Sequence, residues 1–344
     1  MAERSGGVVR IGVLGSARIA DKALIVPARS VPGATVVAVA TREAARADTF
    51  ALRHGIPSAY GSYEELLDDP SVDAVYIPLP NSLHGPWTLR AIEAGKHVLC
   101  EKPFASNADE AARVRDAAKE SGLVVMEAMH YRYHPLIRRM ASLIAEGAIG
   151  TPRHVQCWTS WSVDDPGDIR YAFELGGGAL MDGGCYAIDC LRLLGVVNPA
   201  VTGALADPVP QDPRVDRAIA ARLASPSGLT GWFESVFTLD GDFRAEVHVI
   251  GDSGTLRLTN FINAQDGVLM LGPDGRSWAG AEDEDGRPRG PGNTTFAWQL
   301  RAFTAAVLRG EPFATTAENA AATMRVIDDV YRAAGLPPRG SESA

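Results

Sequence analysis

Val8-Val9-Arg10-Ile11-Gly12-Val13-Leu14-Gly15-Ser16-Ala17-Arg18-Ile19-Ala20 decides the fold. A short run dominated by Val, Ile and Leu breaks at a glycine, and the six residues from Gly15 to Ala20 fit the G-x-G-x-x-A dinucleotide fingerprint with Ala17 in the second glycine position. Gly15 permits the tight turn, the open N–H groups at the start of the next helix suit a pyrophosphate, and small Ala20 lets helix and strand pack closely. Ala17 carries a methyl where glycine would allow the closest approach, which sets the phosphates slightly further out. Gly15, Ser16, Ala17, Arg18 and Ile19 are therefore candidate cofactor-binding residues.

From Val8 to about Val125 short apolar runs alternate with helical patterns. Strands are expected at 8–14, 35–40, 74–77, 97–100 and 123–126, which reads as βαβ units on a parallel sheet. Ser62-Tyr63-Glu64-Glu65 is a capping box opening a short helix, and Gly95 and Gly122 stand where helices should stop. After Gly150 the pattern becomes longer alternation, at 155–161, 217–223, 229–239, 245–250 and 255–258, as in an antiparallel sheet with one face covered. Helices are expected at 178–194, 295–308 and 316–334, and a mobile loop at 282–292. The fold class is thus α/β: a Rossmann doubly wound sheet over 1–128, an α+β domain over 129–335 and a flexible tail at 336–344.

The chain's 344 residues suit two domains, and 46% hydrophobic with 22% charged residues is ordinary for a folded globular protein. No apolar run is long enough to span a bilayer, and the first residues lack the apolar core of a signal peptide, so no membrane is expected and residence is cytoplasmic. Cys100, Cys157, Cys185 and Cys190 show no CxxC spacing and read as reduced, mostly buried thiols. A net charge of -9 excludes nucleic acid as a partner, because displacing its counterions needs a cationic surface.

About 20 residues past the fingerprint, where an Asp or Glu would bind the ribose hydroxyls, stand Thr41 and Arg42. A hydroxyl and a guanidinium fork suit a 2′-phosphate, so NADP(H) is expected ahead of NAD. Two further segments lie at the carboxyl ends of expected parallel strands, the ligand-binding edge of such sheets. They are Pro78-Leu79-Pro80-Asn81-Ser82-Leu83-His84 and Glu101-Lys102-Pro103.

With Gly147-Ala148-Ile149-Gly150 and Gly176-Gly177-Gly178-Ala179-Leu180-Met181-Asp182, these segments make nearly the whole chain resemble the Gfo/Idh/MocA oxidoreductases. Asp182-Gly183-Gly184-Cys185-Tyr186 resembles the branch of dimeric dihydrodiol dehydrogenases, NADP-dependent D-xylose dehydrogenases and deoxysugar 3-ketoreductases. Inositol dehydrogenases carry histidine at the Tyr186 position, so the tyrosine argues against an inositol. The resemblance implies that the second domain is a large open, mostly antiparallel sheet making the oligomer contact. A homodimer or homotetramer through that sheet is also expected because an open face needs a cover.

Hydride transfer to a carbonyl leaves charge on oxygen, so the site needs an acid beside it and a fixed positive charge. Lys102 and Tyr186 supply both: an ammonium lowers a phenol from its ordinary pKa of about 10 towards working pH. Asp182, four residues before Tyr186, shares its helical face and can bond a substrate hydroxyl. The cofactor set is completed by Pro78, Leu79, Asn81, His84, Glu101, Lys102 and Arg132; the substrate set is Lys102, Trp161, Arg170, Asp182 and Tyr186. Asp168 and Trp158 are weaker candidates, and both tryptophans read equally well as sheet packing. His130 and His134 have a zinc-like spacing, but Pro135 follows at once and no HExxH is present, so no metal is expected.

The expected activity is NADP(H)-linked oxidation or reduction of a hydroxyl or keto carbon in a sugar, glycoside or cyclic diol. Two alternatives stay open: a biosynthetic 3-ketoreductase of a nucleotide-linked deoxysugar, and a non-catalytic NADPH-binding sensor. A glycosidase that uses its cofactor transiently is more remote.

Overall fold

A computed structural model describes residues 7–340 apart from 240, 242, 273–274, 284–285, 288 and 291. The described chain divides into two compact units. One holds the residues up to Ala105 with Asp109–His130 and Gly290–Ala320, and the other holds Ser106–Ala108, Tyr131–Arg289 and the residues from Ala321 on. The sequence expectation ran the second domain without interruption over 129–335. The chain instead returns at Gly290 to give the first unit the helix Thr295–Arg309, whose buried Phe296, Leu300 and Phe303 pack beside β1 and the helical stretch 21–28. A single change of pattern marks where one sheet ends but cannot show a later return.

The first unit is built on β1 (Val9–Leu14), β2 (Ala34–Ala40), β3 (Ser58–Tyr60), β4 (Ala74–Ile77), β5 (His97–Cys100) and β6 (Val125–Glu127). All pair in parallel in the order β3-β2-β1-β4-β5-β6, the doubly wound arrangement in which the strand order reverses beside β1. β4 is buried at every position, as a strand covered on both faces must be. β3 escapes sequence reading because its three residues are half-buried and show no period. Ser62 caps the helix Tyr63–Asp68 as expected, its Oγ accepting Glu65 N–H at 3.2 Å, while the Glu65 carboxylate accepts N–H of Gly61, one residue before the cap, at 3.2 Å. Gly95 and Gly122 take φ of +72° and +67°, the left-handed exit expected of them.

The second unit contains β7 (Pro152–Ser162), β8 (Ala200–Val209), β9 (Asp212–Ala224), β10 (Thr230–Thr238), β11 (Arg244–Gly251), β12 (Thr255–Leu258), β13 (Val268–Gly272) and β14 (Arg276–Ala279). They form one eight-stranded sheet, β14-β13-β12-β11-β7-β10-β9-β8. Every neighbouring pair is antiparallel except β7 with β10. The inner face carries Val155, Cys157, Phe233 and Phe237, packed under the helical segment 180–193. Among the described residues no element of the unit covers the outer face, which bears a groove of about 630 Å³ lined by His154, Gln156, Trp158, Arg222 and Trp232. On that face Glu246 lies among Arg244, His248 and Arg257. Burial would raise its carboxyl, but the three donors outweigh it and hold the pKa down to about 2.

Two expectations need correction here. The helix at 178–194 is two segments: a π-helical turn, Leu180–Gly184, continued by an α-helix, Cys185–Leu193. The tail expected at 336–344 is not loose where it is described, since Arg339 is fully buried; residues 341–344 lie outside the described residues. The expected loop at 282–292 falls partly outside them too, at 284–285, 288 and 291. Among the described residues no helix is long and apolar enough to cross a membrane.

Candidate active site

In the first unit the fingerprint folds as its residue types require. Gly15 N–H bonds Ala40 O at 2.7 Å, tying the turn after β1 to the end of β2, and Gly15 takes a φ of +101°. A Cβ there would stand 3.0 Å from Leu79 Cδ2, so the loops after β1 and β4 approach as closely as a glycine allows. The helical stretch that follows begins as a π turn, Asp21–Ile25. Ala20 is buried, Arg18 and Ile19 are exposed, and Ser16 Oγ accepts from Arg46 at 3.3 Å.

Thr41 does not offer its hydroxyl outward. It is buried, and its Oγ1 donates to Glu43 O at 2.6 Å, which shapes the turn into the helix Ala44–His54. Arg42 and Arg46 are exposed on this turn and both act on Tyr63, where burial raises the phenol and the two guanidinium groups oppose it. Arg46 was not singled out by sequence reading; its spacing of four from Arg42 was the available signal.

The loop after β4 turns at Asn81–Leu83 and is fastened to the loop after β5 by His84. One ring nitrogen lies 2.6 Å from Pro103 O and the other 2.8 Å from Leu79 O. Burial takes this imidazole down to a pKa of about 4, with the two carbonyl contacts opposing that shift. Both ring nitrogens are thus occupied by main chain, and His84 shapes the site in place of the ligand contact expected of it. Glu101 is likewise buried, accepting the Tyr76 hydroxyl at 2.6 Å and Lys102 N–H at 3.3 Å. These bonds fix the main chain from which the half-buried Lys102 projects, next to the cis peptide to Pro103.

In the second unit Asp182 sits on the π turn, 7% exposed, with two donors on one oxygen: Trp161 Nε1 at 3.0 Å and Arg170 Nε at 2.5 Å. Asp182 raises the Arg170 guanidinium further above its ordinary value, and Asp168 holds the other side of the same fork at 3.1 Å. Gly183 lets this turn press onto the sheet, since a Cβ would stand 2.6 Å from Ser235 Oγ and 2.9 Å from the Trp161 ring. Trp158 is three residues from Trp161 and on the opposite face, packed edge-on against Trp232 and His248 beneath Arg244. Sheet packing therefore accounts for Trp158, whereas Trp161 belongs with Asp182.

Tyr186 is 5% exposed and meets the Tyr131 ring edge-on at 6.0 Å. Tyr131 donates its hydroxyl to Asp189 Oδ2 at 2.5 Å, and Arg132 Nη1 reaches Asp189 Oδ1 at 3.0 Å. The helix carrying Tyr186 is thus clamped one turn on by a fully buried carboxylate. Arg132, expected at the cofactor, has that arm committed to Asp189.

Apart from Tyr131 and Arg132, these two sets of residues fall in two matched segments. Residues 9–129 match the Gfo/Idh/MocA oxidoreductase family model with its NAD-binding Rossmann fold, and residues 137–257 match the family's C-terminal domain. The chain belongs to the Gfo/Idh/MocA oxidoreductase family. It is 37% identical over 327 residues to an NADP(+) D-xylose 1-dehydrogenase of Haloferax volcanii, covering 94% of this chain and 96% of that one. It is 34% identical over 308 residues to a dTDP-3,4-didehydro-2,6-dideoxy-alpha-D-glucose 3-reductase of Actinomadura kijaniata, covering 88% and 89%. A crystal structure of a 3-ketoreductase from Actinomadura kijaniata with NADP and TDP-benzene superposes with a TM-score of 0.83 at 31% identity, over 95% of this chain and 98% of that one.

In this Gfo/Idh/MocA chain the two histidines with zinc-like spacing do separate structural work. His130 opens a 3-10 turn, stacks on Phe296 at 3.9 Å and bonds Thr295 Oγ1 at 2.8 Å; burial pushes its pKa well below the usual value. His134 Nδ1 accepts Leu136 N–H at 3.2 Å, capping the helix Pro135–Ala145. Among the described residues no cluster of His, Cys, Asp and Glu could hold a metal. Sequence reading missed Tyr131, Asp189, Asp216 and Arg339: the Tyr131–Asp189 pair spans 58 positions and the Asp216–Arg339 pair 123, which leaves no local pattern.

Proposed function

We propose that this protein is an NADP(H)-dependent oxidoreductase moving hydride between nicotinamide and a hydroxyl or keto carbon of a sugar, glycoside or cyclic diol. The observation that carries the reading is Lys102 at the carboxyl edge of β5, its main chain fixed by Glu101 and Tyr76 on the edge where the fingerprint also ends. A dinucleotide fits that edge because Gly15 leaves bare a position that a Cβ would close against Leu79. Gly15, Ser16, Ala17, Arg18 and Ile19 would line the pyrophosphate, and Pro78, Leu79 and Asn81 the reactive end. Arg42, joined by Arg46, would take the 2′-phosphate in place of Thr41. Arg132 would contribute through Nε, which makes no hydrogen bond among the described residues.

When bound, the nicotinamide supplies or accepts the hydride. In the reductive direction the Tyr186 phenol gives its proton to the carbonyl oxygen, the Lys102 ammonium stabilises the charge developing there, and solvent returns a proton to the phenolate. Oxidation runs the same proton path backwards. Asp182, held by Arg170 and Trp161, accepts a substrate hydroxyl and orients the ring. A pure sensor would need no proton donor, and nothing among the described residues of the second unit singles out a nucleotide-linked deoxysugar, so the broader class is the one proposed.

The test is a parallel screen with NADP and NAD over pentoses, hexoses, inositols and cyclic diols, on wild type, Lys102→Ala and Tyr186→Phe. Each variant should lose roughly 100-fold or more in kcat while remaining folded; turnover unchanged in both would end the proposal. The reading also places a homodimer or homotetramer on the uncovered face of the eight-stranded sheet, checked by light scattering. The four buried free thiols fit a reducing, cytoplasmic setting.

A further inference from the structure

Beyond the helix Ala317–Ala333 the chain turns back and inserts Arg339, which has no exposed surface. Its guanidinium donates Nε–H to Gly177 O at 2.6 Å and Nη1–H to Pro337 O at 2.9 Å, and pairs through Nη2 with Asp216 Oδ1 at 2.6 Å. The fork lies over the rings of Tyr331 and Phe173, 4.1 and 5.0 Å from their centroids. Asp216, fully buried on β9, uses both oxygens: Oδ1 also accepts the Tyr331 hydroxyl at 2.9 Å, and Oδ2 accepts Leu180 N–H at 2.6 Å.

One ion pair therefore grips the main chain at Gly177 and at Leu180. Between them Gly178 has a φ of +128°, and a Cβ on it would stand 2.2 Å from Asp216 Oδ1 and 2.7 Å from Arg339 Nη2. Gly178 O in turn accepts Asp182 N–H at 3.1 Å. A buried pair of this kind adds little net stability over an apolar pair of equal volume, because desolvation offsets the attraction. Its planar fork does fix direction, and what it fixes is the entry to the turn bearing Asp182 and then Tyr186.

We propose that Arg339 and Asp216 are positioning residues: the far end of the chain sets the angle at which the Leu180–Gly184 turn presents Asp182 and Tyr186. The catalytic consequence rests on the function proposed above, whereas the anchoring does not. Two readouts separate the two. Hydrogen–deuterium exchange over 177–186 reports the anchoring, and kcat, KM and NADPH affinity, measured well below the melting temperature, report its consequence.

In Arg339→Met, exchange over 177–186 should accelerate roughly ten-fold or more with β1 to β6 unchanged. Sugar turnover should fall roughly ten-fold with NADPH affinity within about two-fold, and Arg339→Lys should recover part of both losses. A merely structural residue would lower the melting temperature and leave kcat and local exchange as in wild type; that result overturns the proposal. Should Arg339→Met fail to fold, Asp216→Asn keeps an acceptor for Leu180 N–H and should show the same changes at smaller size, with unchanged exchange again overturning it. If the wild type turned over no sugar, the functional reading would fall, and the exchange measurement would still decide the anchoring.

Discussion

Arg170 and Asp182 form a tight ion pair at the candidate substrate site, Nε to Oδ2 at 2.5 Å, with the Trp161 indole on the same oxygen. The two donors fix the carboxylate in direction, which is what recognition of a sugar hydroxyl requires. Asp182→Asn should lower kcat/KM roughly 100-fold, equivalent to about 2.7 kcal/mol of transition-state stabilisation. Arg170→Met should cost roughly ten-fold, mostly in KM. Steady-state kinetics on the best sugar checks both, and wild-type values in Asp182→Asn would remove this carboxylate from the site.

Arg46, not Thr41, should share the 2′-phosphate with Arg42. Arg42→Ala and Arg46→Ala should each weaken NADPH binding by roughly ten-fold while leaving NADH within about two-fold. Thr41→Val should change NADPH affinity little by comparison. Fluorescence titration of both cofactors decides the matter, and loss of NADH affinity in parallel would point to a general effect on the fold.

His84 predicts an acid-side loss of stability with a defined sign. Its pKa is about 4 in the folded chain, against about 6.5 unfolded. Between those values the unfolded chain binds more protons, so this contribution is complete above pH about 6.5 and declines as the pH falls towards about 4. Its size is about 3 kcal/mol. Urea unfolding at pH about 7 and about 4.5 should show a smaller difference in His84→Ala than in wild type; an identical pH dependence in the two would contradict the assignment.

Gly178→Ala combines a φ of +128° with a contact of 2.2 Å to a buried carboxylate oxygen. The expected loss is about 3 kcal/mol or more, far above that of Gly122→Ala, where nothing lies within 4 Å of the added carbon. Denaturant melts of the two variants make the comparison, and equal losses would show that strain at φ, common to both, outweighs the collision.

Local chemistry was legible where it had a short-range cause. The turn at Gly15, the box from Ser62 to Glu65 and the lysine after Glu101 each follow from neighbouring residue types, and the alternation of β7, β9, β10 and β11 marks a sheet with one face buried. β8 was missed because it is an exposed edge with Leu205 at 80% and a proline near its end, so its burial pattern does not alternate. Thr41 misled because a hydroxyl two residues from a carbonyl can satisfy itself locally, and here it does. Arg339 was invisible for the opposite reason: a polar C-terminal segment looks solvated until a carboxylate 123 positions earlier claims it.

The pairing of β7 with β10 sets an order on biogenesis. β7 is the first strand of its sheet to leave the ribosome, yet both of its neighbours, β10 and β11, are synthesised well after it, with the β8–β9 hairpin in between. Until they emerge, the row of Val155, Cys157 and Trp161 has no lateral support, which is the state most prone to wrong association. Nascent chains halted before residue 230 should therefore cling to chaperones, and those released after 251 should let go.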